Sequence, residues 1–156
     1  MSANPITGEV EDGETFPGTD IELVPLNLAH LDEDAIAAMF PTPAQAAGAL
    51  LYSRQVASRA PAALNGYRTA LKRAEKDLAI AVALGAEKLL ETYPRMAMSE
   101  RRDLARALDP KVKTAEAARD DAWLLLEYAR DYDRAIGRDI DILRSLNANL
   151  RGEHRS

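Results

Sequence analysis

Residues 109–152 read DPKVKTAEAARDDAWLLLEYARDYDRAIGRDIDILRSLNANLRG, and this stretch decides the fold. Asp109 before Pro110 is a strong helix start: a capping carboxylate precedes a residue whose missing N–H is not needed in the first turn. No proline follows before the end of the chain, and Gly152 offers a stop. One heptad position gives Ala115, Ala122, Ala129, Ile136, Leu143 and Leu150, all apolar. The alternate core position gives Val112, Arg119, Leu126, Asp133, Ile140 and Asn147, apolar and polar by turns. A 3–4 apolar repeat sustained this far predicts one helix over 110–150 with coiled-coil-like packing. Small alanines in its first half allow close approach, and larger aliphatics thicken the second. Gly137 lies inside and costs about 1 kcal/mol relative to Ala; a close helix contact and a tolerated accident are equally good accounts of it.

Upstream, residues 62–93 carry a second stripe, Tyr67, Leu71, Leu78, Val82, Leu89 and Tyr93, at separations that suit a nearly straight helix. Pro94 closes it, and Ser99 is placed to cap a short helix over 100–108. The long helices joined through this corner read as an antiparallel hairpin. Thr42-Pro43-Ala44-Gln45 is the start signal of a further helix, about 43–59, with Pro61 as its break, its kink or the first-turn proline of the next helix. Asp32 caps a short helix over 33–39.

The first Lys or Arg of the chain is Arg54. Nine carboxylates and no base precede it, so the formal charge is about −9 for residues 1–53 and about +4 for the rest, within a total of −5. Residues 1–20 combine Gly, Pro, Thr and acids without periodicity, the composition of a disordered acidic arm. Residues 21–41 then hold an extended segment and a short helix. In Ile21-Glu22-Leu23-Val24-Pro25-Leu26-Asn27-Leu28 the proline forbids a helix interior and holds Val24 extended. Ile21, Leu23, Leu26 and Leu28 serve either as a strap on the helical body or as a linear motif docking on a partner.

Hydrophobic residues make up 47% but aromatics only 5%, and 29 residues are alanine. Alanine supplies little apolar area and the best helix propensity, which favours close-packed long helices over a thick core. With no cysteine there is neither a disulfide framework nor a thiolate metal site. No apolar run approaches the ~18 residues of a membrane span, and no basic-plus-apolar leader opens the chain. A cytoplasmic protein is expected.

Trp123-Leu124-Leu125-Leu126 is apolar all round one helical turn, which a two-helix hairpin cannot bury. The 43–59 helix, the 21–28 segment or a second subunit must cover it. Arg119, Asp133 and Asn147 recur at fourteen-residue intervals on a core-type position. They are register determinants if that position is buried, and ordinary polar residues if the seam is rotated. Arg68, Lys72 and Lys76, and likewise Arg130, Arg134 and Arg138, form basic stripes that could meet phosphates. Interleaved acids such as Asp131, Asp133, Asp139 and Asp141 read better as a solvated, self-paired face. His30, Asp32 and Asp34 fall together only on a strand, against the local helix signal, so no metal site is expected. Nothing marks two carboxylates for acid–base work, and no phosphate loop is present. The chain reads as a non-enzyme without cofactor.

Residues 115–151 resemble the long C-terminal helices of small helical proteins from tailed bacteriophages and prophages, in particular those of actinobacterial phages. The likeness covers about a quarter of the chain and carries over no functional residue. It implies at most an accessory role, some such proteins being encoded near recombination or replication genes.

The expectation is therefore an all-α fold, a long antiparallel helical hairpin or coiled-coil-like bundle over 42–156 behind an acidic arm. The expected role is an interaction protein that self-associates, or binds another helical protein, through Trp123, Leu126, Ile136, Ile140, Leu143 and Leu150. Accessory work at nucleic acid and a place in a virion or its assembly are the alternatives.

Overall fold

Local signals and apolar stripes together dictate four α-helices, and the computed structural model, which describes residues 23–155, has them in the order α1 (Glu33–Met39), α2 (Pro43–Thr92), α3 (Met98–Leu108) and α4 (Pro110–Arg155). A single 3-10 turn, Leu28–His30, precedes them, and no strand occurs among the described residues. The fold is all-α, with α2 and α4 as the arms of a helical hairpin. The acidic arm of residues 1–20 and Ile21 lie outside the described residues.

Each start follows from side-chain chemistry. The Asp32 carboxylate accepts the Ala35 N–H at 2.7 Å. At α2, Thr42 Oγ1 accepts from the Gln45 N–H at 3.2 Å while Gln45 Oε1 accepts from the Thr42 N–H at 3.3 Å, a reciprocal capping box. Asp109 Oδ1 accepts the Lys111 N–H at 2.9 Å at the head of α4. The third helix begins earlier than Ser99 suggests. Glu100 reaches back to the Ala97 N–H at 3.3 Å, which makes Ala97 the cap and leaves Ser99 inside the helix.

Two expected boundaries are absent. The segments 43–59 and 62–93 form one helix of 50 residues with Pro61 inside it. Ser53, Val56, Ala60, Ala63, Leu64 and Tyr67 are all buried, so one helical stripe runs unbroken past the proline. Pro61 itself is exposed. It removes the N–H that would serve the Ala57 carbonyl and its ring crowds that carbonyl, together a cost of about 3 kcal/mol, and packing on both sides of it outweighs that loss. Gly152 likewise does not stop α4, which continues to Arg155.

The described chain forms two compact units. The first comprises 23–65 and 128–155. Its core joins Leu28, Ile36, Leu50 and Leu143, with Leu26, Phe40 and Ile140 packed against them. The second comprises 66–127, where Val82, Ala105 and Val112 bring α2, α3 and α4 together, supported by Leu78, Ala81 and Leu89. Buried Arg101 closes the corner before α3, its guanidinium donating to the Met96 carbonyl.

A close approach does rest on a glycine, but on Gly85 rather than Gly137. A Cβ at Gly85 would stand 2.8 Å from Asp109 Oδ2 and 3.0 Å from the Ala105 Cβ, whereas one at Gly137 would meet nothing within 4 Å. Both sites lie in helices, so Gly→Ala should gain about 1 kcal/mol of propensity at each. Gly137→Ala should therefore raise the melting temperature. Gly85→Ala should lower it, because the added methyl displaces the carboxylate that caps α4. Calorimetry on the two variants checks the opposite signs.

Candidate interaction surfaces

The segment 23–28 lies on the helices of the first unit. Leu23 and Leu28 are fully buried, Leu26 half-buried and Val24 exposed. The Tyr52 hydroxyl donates to the Val24 carbonyl at 3.2 Å. What holds the segment is Asp139, which is 1% exposed. Its Oδ2 accepts the Leu26 N–H at 2.7 Å and the Asn27 N–H at 3.2 Å, and its Oδ1 accepts the Leu28 N–H at 2.8 Å. Three successive amides converge on one carboxylate because Asn27 adopts the left-handed conformation, φ 60° and ψ 42°. A concave run of N–H groups of this kind is an anion-binding nest, and here the anion belongs to the same chain. Asn is among the few residues that take this conformation at low cost.

Sequence reasoning placed Asp139 among the solvated acids, and the structure overturns that. The error has a physical reason: a carboxylate satisfied by main-chain amides leaves no mark in side-chain spacing. The available clue was Asn27 after a Pro-containing apolar run, a position apt for a turn.

The other expected residues divide. Leu126, Ile136 and Leu143 are buried within the chain's own packing, and Ile140 and Leu150 are half-buried. They hold the hairpin together and offer little surface to a partner. Trp123 stays 49% exposed and Leu124 44%. Among the register candidates Asn147 is buried, while Arg119 and Asp133 are half-buried at the seam edge, with Arg119 Nε 3.1 Å from Asp120 Oδ1.

The two basic stripes differ. Arg134 pairs with Asp131, and Arg130 is half-buried with partners of its own; Arg138 is exposed. Arg68, Lys72 and Lys76 are exposed and form no ion pair with any described residue. In the second unit a groove of about 630 Å³ opens between α2 and α4. Its floor is alanine, Ala70 and Ala74 from α2 and Ala115, Ala118 and Ala122 from α4, and Arg73, Asp77 and Lys111 also line it. No set of three or more His, Cys, Asp or Glu able to hold a metal occurs among the described residues. None of their helices is long and apolar enough to cross a membrane. Asp32, between His30 and Asp34 in the sequence, serves as the cap of α1. Comparison with known protein families, curated proteins and solved structures finds no match.

Removing the Asp139 carboxylate should release the segment. Asp139→Ala leaves three amides without an acceptor, a loss of about 3 kcal/mol or more. Amide hydrogen exchange at Leu26, Asn27 and Leu28 should accelerate accordingly. Asn27→Gly should keep those amides protected. Asn27→Val, which tolerates positive φ poorly, should expose them. Protection surviving in Asp139→Ala would show that the leucines alone seat the segment.

Proposed function

We propose that this chain is a non-enzymatic interaction protein that acts by helix-to-helix packing, associating with a second copy of itself or with another helical protein. The observation that carries the reading is the exposure of Trp123 and Leu124 on adjacent positions of α4, one turn from fully buried Leu126. A large aromatic left half in water at that place suits a docking surface, since tryptophan concentrates binding energy where it is desolvated. The apolar positions of 136–150 serve the internal seam, so the surface sought is the one around Trp123. In the setting implied by the resemblance to phage helical proteins, this is an accessory or assembly part working in the host cytoplasm.

Trp123 is the only tryptophan of the chain, so its fluorescence reports on that surface directly. Light scattering should show the mass rising through the micromolar range, with the emission maximum moving to the blue in step as Trp123 leaves water. A strict monomer at every concentration would remove self-association from the reading. Rising mass with unmoved emission would place the contact elsewhere.

A second reading has its own support, the exposed stripe of Arg68, Lys72 and Lys76 without ion-pair partners among the described residues. Phosphate contact through it would make the chain an accessory protein at nucleic acid. Filter binding at low salt, where such contacts are strongest, should then retain nucleic acid and lose it at high salt. No retention at low salt excludes direct contact.

A further inference from the structure

We infer that Met98 is a site of reversible oxidation, and that the sulfoxide formed there is received by the buried guanidinium of Arg101, so that oxidation tightens the corner before α3 instead of loosening it. The inference lies within the second unit and is independent of how the chain associates. Met98 and Arg101 stand three residues apart on α3, neighbours on one face of the helix, and helical side chains lean toward the N-terminus. That lean carries the Arg101 guanidinium back to the Met96 carbonyl, to which Nη1 donates, and to the Met98 sulfur, 3.9 Å from Nη2.

The guanidinium is poorly served there. Arg101 is only 7% exposed, it forms no ion pair with any described residue, and its buried Nε–H has no acceptor among them. A carbonyl meets Nη1, but Nη2 has only a thioether, a weak acceptor. The charge also lies near the positive end of the α3 dipole, which adds to the cost of burying it. What the group lacks is a strong oxygen acceptor, and Met98 can acquire one. Met98 is 47% exposed, so an oxidant reaches its sulfur. Hydrogen peroxide transfers one oxygen to that sulfur as the O–O bond breaks, and the proton of the transferred oxygen passes to the departing one. The sulfur is oxidised by two electrons, and the peroxide leaves as water. The new oxygen sits on the atom already beside Nη2. Met39 is as exposed as Met98 but lines an apolar hollow with Leu26, Phe40 and Tyr52. The same change there sets a polar group among apolar ones, the usual harm of methionine oxidation.

The test treats the full-length chain with dilute hydrogen peroxide, follows each methionine by peptide mass mapping, and reads the contact from solvent exchange of the Arg101 side-chain N–H protons by nuclear magnetic resonance. That exchange should slow about tenfold or more once Met98 carries oxygen, the effect of a strong hydrogen bond to a charged group. Met98→Leu given the same treatment should show no slowing. Met98→Gln, whose amide carbonyl reaches about as far as the sulfoxide oxygen, should show it without oxidant. The methionine sulfoxide reductases, one for each epimer, should return the parent to its original exchange. Unchanged or faster Arg101 exchange after Met98 is oxidised would overturn the inference. So would a Met98 left intact while Met39 is fully converted, or a Met98→Gln chain whose Arg101 exchanges as in Met98→Leu. An oxygen that neither reductase removes would overturn the reversibility.

Discussion

One buried carboxylate decides how the first unit is put together. Asp139 sits on α4 with its side chain out of water and no ion pair to any described residue, a placement that costs several kcal/mol unless its charge is met. The amides of Leu26, Asn27 and Leu28 meet it. Ordering the backbone of residues 23–28 costs about 1–2 kcal/mol for each residue. Burying Leu23 and Leu28 fully and Leu26 partly returns about 1.5–3 kcal/mol apiece, a gain of the same size as that cost, which leaves the leucines alone with no secure margin. Hydrogen bonds to a charged acceptor, about 1.5–3 kcal/mol each, supply that margin. Apolar burial chooses where the segment lies, and the clasp decides that it stays there.

The dependence runs both ways. Without the segment the Asp139 carboxylate would lose the three amides that meet it; without Asp139 the left-handed turn at Asn27 would have nothing to organise around. Leu28 is central to this unit because it serves both terms: its amide binds the carboxylate and its side chain joins Ile36, Leu50 and Leu143. The second unit solves the same problem with less material. Its core holds Val82, Ala105 and Val112, small side chains that pack well only at short range, and the bare backbone of Gly85 gives Ala105 and Asp109 room to come near.

What was legible in the sequence was whatever repeats or caps. The all-α hairpin followed from the heptad positions of α4, and the capping residues at Asp32, Thr42 and Asp109 were visible because each acts on its own neighbours three residues away or fewer. What was missed needs tertiary information. Pro61 reads as a break by its local rule, yet the buried stripe on both sides carries the helix through. Gly137 falls within the most periodic helix, where a close contact and a tolerated accident are equally good accounts from sequence, whereas the close contact is made at Gly85 by a different helix. Asp139 was unreadable because its partners are main-chain N–H groups more than a hundred residues away, which every residue but proline possesses. Trp123 lies between these cases: the excess of apolar residues around its turn was plain, but whether the chain would cover it was a question for the three-dimensional packing.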